Sequence, residues 1–262
     1  MRKSLTLLRD RIPDPTAYPF SVPTIASLTR LGFHSRVTFF AGENGTGKST
    51  LLEAIAAHIG FGREGGNRNF NFETSGSSRA TEPLSRALRL SFDKRSGEGF
   101  YFRAESLFNV ATYLDELDAQ DTGGLILPPA LDSYGGTSLH SRSHGETFFT
   151  VLDHKFRRSG LFLLDEPEAA LSPQRQLSFV VLLHDTLREY PDAQFIISTH
   201  SPILLATPNA QILSFDQNQI HAINYEDTPA FQITRRVMLD HRSFINDLLK
   251  PEPTLFPDPD PN

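Results

Sequence analysis

Cysteine is absent from all 262 residues, so no disulfide staples this fold, as a reducing compartment permits. Apolar runs long enough to span a bilayer are also absent, and the basic start Met1-Arg2-Lys3 is not followed by the apolar segment of a secretory signal. These absences read together as a soluble, cytoplasmic protein with no transmembrane segment of its own. No internal repeat and no sustained heptad pattern occurs, which excludes a long coiled-coil arm. The serine-hydrolase elbow G-x-S-x-G is missing as well. A net charge of −6 argues against a surface that binds nucleic acid nonspecifically, although it leaves room for a local basic patch.

What is present centres on Gly42-Glu43-Asn44-Gly45-Thr46-Gly47-Lys48-Ser49-Thr50, which fits G-x-x-x-x-G-K-[ST] at every fixed position. Glycines let successive backbone N–H groups turn inward on phosphate oxygens; Lys48 reaches the β and γ oxygens, and the Ser49 hydroxyl ligates Mg²⁺. The flanks agree. Val37 to Phe40 reads as a buried strand, and Lys48 to Ile59 as a helix with Leu51, Leu52, Ile55, Ala56 and Ile59 on one stripe, closed by Gly60. The helix dipole adds to the anion site.

Before the loop, Leu5 to Leu8 reads as a strand and the proline-rich stretch to Pro23 as an irregular crossing. Leu88, Leu90 and Phe92 alternate as in a half-buried strand, and Gly97 and Gly99 are expected to turn it back as a hairpin into Phe100-Tyr101-Phe102. Ala104 to Leu117 is helical by spacing, and a further helix opens after Ser143-His144-Gly145-Glu146 and stops at Gly160. Leu161 to Leu164 is an apolar strand ending in Asp165 and Glu166. After a phosphate loop, such carboxylates suit a metal hydration shell and an attacking water respectively. Ser172 and Pro173 cap a helix running to Tyr190 through Leu177, Val180, Val181, Leu183 and Leu187. Gln194 to Thr199 is a buried strand that delivers His200. A lone histidine at a strand end is more often structural than catalytic, but α/β sheets place their ligands at this end of parallel strands. His140 and His144 have the spacing of a helical metal pair without a supporting ligand cluster. Ile212 to Phe215 and Ile220 to Ile223 form a hairpin around Gln217-Asn218, and Phe244 to Leu249 a closing helix. Pro251 to Asn262 is an acidic, proline-rich tail expected to be disordered.

This order of motifs, over Val37 to Pro202, resembles the ABC-type ATPases. Within them it is similar to small predicted AAA/ABC ATPases allied to the chromosome-maintenance (SMC), recombination and overcoming-lysogenization-defect groups. The resemblance implies an α/β P-loop NTPase head with a mixed sheet, an N-terminal β region and a small helical lobe over 104–146. One domain would cover 1–250. It implies ATP and Mg²⁺ as ligands, with Gly42, Asn44, Gly45, Thr46, Gly47, Lys48, Ser49 and Thr50 around the phosphates. Ser49 and Asp165 would hold the metal, Glu166 would polarise water, and His200 would sense the γ-phosphate. Ser143 and Gly145 would close the site of a second subunit in an ATP-dependent homodimer. The signature departs from the Leu-Ser-Gly-Gly-Gln pattern, since Arg142 and His144 replace Leu and the first Gly, as in non-transporter branches. The glutamine that transporters carry between lobes has only Glu105 in its place. Arg68 sits where relatives can carry an arginine that touches nucleotide or partner; the adenine contact is not assigned, although Tyr18 or Phe20 could stack on the base. The implied function is a soluble ATPase of nucleic-acid maintenance or defence, acting on an unidentified partner protein or nucleic acid. A transporter's nucleotide-binding subunit and an ATP-bound regulatory scaffold are the alternatives.

Overall fold

The computed structural model describes residues 2–62, 66–67, 70–71, 79–92, 98–103, 149, 152–153 and 155–250. The helical lobe over 104–146, Arg68, Glu105, His140, Ser143, His144, Gly145 and the 251–262 tail lie outside them.

The chain opens with β1 (Arg2–Leu7), α1 (Pro23–Ser27), β2 (Arg30–Gly32), β3 (Val37–Ala41) and α2 (Lys48–Ile59). Next come β4 (Gly66–Asn67), β5 (Phe70–Asn71), α3 (Glu82–Ala87), β6 (Leu88–Phe92) and β7 (Gly99–Arg103). The second half runs β8 (Leu161–Asp165), α4 (Pro173–Glu189), β9 (Gln194–Ser198), α5 (Pro202–Leu205), β10 (Gln211–Ser214), β11 (His221–Ala222) and α6 (Pro229–Leu248). None of the described helices is long and apolar enough to cross a membrane.

The main sheet has the order β11-β10-β3-β9-β8-β7-β4-β5. Its inner strands β10, β3, β9, β8 and β7 are mutually parallel, and antiparallel strands close both edges. This is a mixed α/β sheet. All residues of β3, β8 and β9 are buried, as expected of parallel strands covered on both faces. Alternate residues therefore feed two cores. Phe40, Tyr101, Leu161, Leu163 and Ile196 face α2, beyond which Leu5, Leu7, Leu88 and Leu90 of the antiparallel sheet β2-β1-β6 complete one core. On the other face Phe39, Phe102, Phe162, Phe195 and Ile197 pack against Phe156, Phe179 and Leu183. Helix α2 ends at Gly60, in the left-handed region, whose N–H donates to Ala56 and Ala57 carbonyls at 3.1 Å.

Two expectations, the hairpin and the start of the closing helix, are corrected. Leu88–Phe92 and Phe100–Phe102 do not form a hairpin: β6 pairs antiparallel with β1, and β7 pairs parallel with β8. Gly99 is no turn residue but a point of close approach, since a Cβ there would lie 2.2 Å from the Leu161 carbonyl oxygen. Helix α4 turns Gln176, Phe179, Leu183 and Thr186 inward, leaving Leu177 and Val181 exposed. The closing helix starts fifteen residues before Phe244, where Thr228 accepts from the Phe231 N–H at 3.3 Å and Pro229 takes the first position. The hairpin around Gln217-Asn218 does form, with both residues at positive φ joining β10 to β11.

Candidate functional site

Strand β3 delivers the 42–50 loop at the carboxyl edge of the sheet, and α2 begins within it at Lys48. Gly47 stands at φ 99°, with a Cβ position only 2.9 Å from Thr24 Oγ1, so both conformation and space require glycine. The loop is braced from outside. The Thr24 hydroxyl donates to the Thr46 carbonyl, and Asp216 accepts from the Glu43 N–H at 3.0 Å and from Ser214 Oγ at 3.1 Å. Lys48 Nζ donates to the Gly42 and Glu43 carbonyls, both at 2.8 Å, and is only 4% exposed. Burial pulls its pKa below the usual lysine value, against the opposing pull of the Glu166 and Asp165 carboxylates. Thr50 Oγ1 lies 3.1 Å from the Tyr18 hydroxyl. Tyr18 is exposed, whereas Phe20 is sealed in the core and is not available for stacking on a base.

Strand β8 runs parallel to β9, with Asp165 in register with Ser198. Ser49 Oγ donates to Asp165 Oδ1 at 2.9 Å, joining the start of α2 to the end of β8. Asp165 is 5% exposed. Burial raises its pKa, while the Ser49 hydroxyl and the Arg103 guanidinium act in the opposite direction. Arg103 Nε is 3.8 Å from Asp165 Oδ2, and Nη1 is 3.7 Å from Glu53 Oε2; Glu53 also accepts from Thr81 Oγ1 at 2.6 Å. Glu166 leaves the strand in the left-handed region (φ 50°, ψ 51°), a strained choice for a residue with a Cβ. Its N–H donates to the Ser198 carbonyl at 2.9 Å, and its Oε1 lies 3.6 Å from His200 Nε2. The His200 N–H donates to Glu168 Oε1 at 2.6 Å. The next residue, Ser201, caps α5 and donates to Gln176 Oε1 at 2.5 Å.

The expected residues from Gly42 to Thr50, together with Asp165, Glu166 and His200, thus gather at the carboxyl ends of β3, β8 and β9. Beside them a cavity of about 180 Å³ is lined by Gly42, Glu43, His200, Asp216 and the α6 residues Ala230 and Ile233. A cavity of about 380 Å³ between Arg36, Val180, His184 and Asn209 adjoins the opposite, amino-terminal ends of the strands. Two contributors were missed in the sequence. Asp216 follows β10 and had no motif to mark it; Arg103 ends β7 beside Asp165, and its place at a strand's carboxyl end was the available signal. Ser49 Oγ and Asp165 Oδ1 are hard oxygen donors that converge at the helix start, a donor set that fits Mg²⁺.

A family profile described as an AAA domain, putative AbiEii toxin, type IV TA system matches residues 134–206, and a second, described as an AAA domain, matches 24–147. The thiamine import ATP-binding protein ThiQ of Rhizobium meliloti (strain 1021) is 30% identical over 198 residues, covering 71% of this chain and 78% of that protein. Among solved structures, the SMC head domain from Thermotoga maritima aligns with a TM-score of 0.45 at 17% identity, over 85% of this chain and 98% of that one. An ATP-binding cassette of an ABC transporter in its ADP conformation aligns with a TM-score of 0.48 at 13% identity, over 95% and 100%.

Proposed function

The chain belongs to the ABC-type ATPases, and on that premise we propose that it binds ATP with Mg²⁺ at the 42–50 loop and hydrolyses it in a head-to-tail homodimer. The observation that carries this reading is the 2.9 Å bond between Ser49 Oγ and Asp165 Oδ1, with Glu166 and His200 on the adjoining strand ends. In this reading the backbone N–H groups around Gly45, Thr46 and Gly47 receive phosphate oxygens, with Asn44 at the loop's exposed crest and Thr50 on its far side. Lys48 exchanges its two carbonyl partners for phosphate oxygens, which its ammonium favours because a charged acceptor makes a stronger hydrogen bond than a neutral carbonyl. Ser49 and Asp165 would hold Mg²⁺, which when bound would neutralise charge on the phosphates. Glu166 Oε1 takes the proton of the attacking water, and His200 Nε2, within reach of the same carboxylate, fixes its orientation and meets the γ-phosphate. Ser143 and Gly145 close the partner's site. The domain limits 1–250 and a cytoplasmic setting belong to the same proposal.

The wider role proposed is nucleic-acid maintenance or defence, supported by the shortened Ser-x-Gly-Glu signature and by the AAA profile described through a putative toxin. The import-ATPase relative supports a second reading, a transporter's nucleotide-binding subunit. A pull-down from native cells separates the two by what is recovered, an effector or nucleic acid against a membrane protein.

Glu166→Gln tests the chemistry. The amide keeps the shape of the side chain but cannot accept a proton, so turnover should fall by roughly 10² to 10⁴ while ATP binding persists. The variant should associate more tightly with Mg-ATP than without nucleotide in gel filtration. Near-normal turnover would refute the role of Glu166, and a slow variant whose association is indifferent to Mg-ATP would refute the shared site.

A further inference from the structure

Helix α6 has no buried residue. Its base is fixed: Thr228 is buried, and the Tyr225 and Phe231 rings meet at 4.7 Å. Beyond that base the helix leaves the body. It bends at Asp240 (φ −153°, ψ 74°), whose carboxylate accepts from the Ser243 N–H at 3.1 Å and so caps the second half. Arg236 lies 4.7 Å over the Phe244 ring across the bend.

Nine large apolar side chains are exposed among the described residues; Ile233, Met238, Leu239, Ile245 and Leu248 lie on this one element, and Leu249 is its C-cap. That concentration is not the scatter of an ordinary surface. Composition agrees. Residues 229–249 contain neither lysine nor glutamate but include three arginines, a methionine and two phenylalanines. Solvent-facing helix surfaces are usually rich in charged residues, whereas protein interfaces enrich Arg, Met and aromatics and deplete Lys, Glu and Asp, of which only Asp240 and Asp247 occur here. A helix that lies on lipid carries a strongly basic polar face; here Asp240 and Asp247 interrupt the arginines.

We propose that α6 is a self-association surface, pairing about a two-fold axis with α6 of a second copy of this chain in the absence of nucleotide. Area supports this occupant. At about 25 cal/mol per Å², burying a large apolar side chain corresponds to roughly 100 Å². At about 100° per residue five of the six, all but Leu239, share one arc of the helix, and with Met238 80% and Leu249 75% exposed and Ile233, Ile245 and Leu248 between 43% and 64%, they offer about 320 Å² per copy. Two copies then supply about 640 Å² of apolar area. At the apolar share typical of homodimer interfaces this corresponds to about 1,000 Å² in total, the size a biological interface should clear. A two-fold contact needs only one such patch, used twice. The pairing also has a use. No heptad arm joins two heads, so a standing contact through α6 would raise the effective concentration at which two nucleotide sites meet. Because Ala230 and Ile233 line the cavity that Gly42 and His200 share, the contact adjoins the site.

The inference does not depend on the reading of the nucleotide site, and its test uses the full chain in EDTA without nucleotide. Sedimentation velocity should show a reversible dimer at micromolar concentration. Met238→Glu with Leu248→Glu should raise its dissociation constant at least 30-fold, while the melting temperature measured well below the wild-type dissociation constant stays unchanged, since both positions are exposed in the monomer. As a second measurement, Met238→Cys in this cysteine-free chain should give a disulfide-linked dimer on mild oxidation, and Leu177→Cys on α4 should not. A monomer at all concentrations overturns the proposal, as does a dimer indifferent to the double substitution. So does dimerisation that appears only after residues 251–262 are deleted, which would make the tail the occupant of α6. Capture of the monomer by anionic phosphatidylserine vesicles would overturn it in favour of a lipid surface.

Discussion

At the scale of single residues, Asp165 holds a carboxylate where burial disfavours its charge. Its folded-state pKa lies above the unfolded value of about 3.9. Between the two values the folded protein keeps a proton that the unfolded chain has released, so this group's contribution to stability falls as pH rises through that window. Above the window the cost is complete. Asp165→Asn should therefore raise the melting temperature at pH 7 in EDTA, by roughly 2–4 °C for each kcal/mol relieved, and flatten the decline in stability above pH 4. The same change should lower Mg-dependent ATP turnover at least 10²-fold, by analogy with losing one preorganised group of an active site. A less stable Asn variant would mean that the Ser49 and Arg103 contacts outweigh burial. Stability is here set against function at one side chain. The left-handed backbone of Glu166, one position later, adds strain to the same corner.

Elements were legible wherever the signal was local. The helix Lys48–Ile59 with its closing Gly60, the Ser172-Pro173 start of α4 and the strands at Val37, Leu161 and Gln194 all carry their caps or apolar runs within a few residues. Pairing was not legible in the same way. Leu88–Phe92 and Gly99–Arg103 are neighbours in sequence, yet each finds its partner far along the chain, β1 on one side and β8 on the other. Two glycines nearby looked like a turn, whereas Gly99 lets two backbones approach. For α4, the apolar residues ring more of the helix than its single covered face can bury; Phe179 and Leu183 take the core and Leu177 is left out. The loop and carboxylates could be read because each motif is continuous. The bracing by Asp216 could not, and that by Arg103 only from its place at a strand end, because both depend on which strands are adjacent. The β7 correction yields a prediction. Gly99→Ala would force a Cβ to 2.2 Å from the Leu161 carbonyl oxygen at a positive φ, and should cost about 2–4 kcal/mol, in the range of core overpacking with backbone strain. Urea unfolding measures it. An unchanged midpoint would show that β7 and β8 have room to part.

At the scale of the whole molecule, the 42–50 loop sits where both cores meet. Helix α2 belongs to the core shared with the antiparallel sheet, while β3, β8 and β9 also face the core beneath α4. A ligand gripping this loop is therefore tied to both layers at once, and its binding energy should appear as a shift of the main unfolding transition rather than of a local one. For Mg-ATP at 100 times its dissociation constant the gain is about 2.7 kcal/mol, equivalent to roughly 5–10 °C for a chain of this size. Lys48→Ala removes the ammonium that links Gly42 and Glu43, and it also removes the cost of burying that charge. These effects oppose each other, so the melting temperature without nucleotide is a poor readout for this variant and the shift on adding Mg-ATP is the useful one. That shift should fall to less than a third of the wild-type value. ATP with EDTA in place of Mg²⁺ should give an intermediate shift in the wild type, because the loop and Lys48 still meet the phosphates while Ser49 and Asp165 have no cation to share. An undiminished shift in Lys48→Ala would remove the loop from the binding site. A wild-type shift indifferent to Mg²⁺ would leave the loop in place and remove Ser49 and Asp165 from the metal.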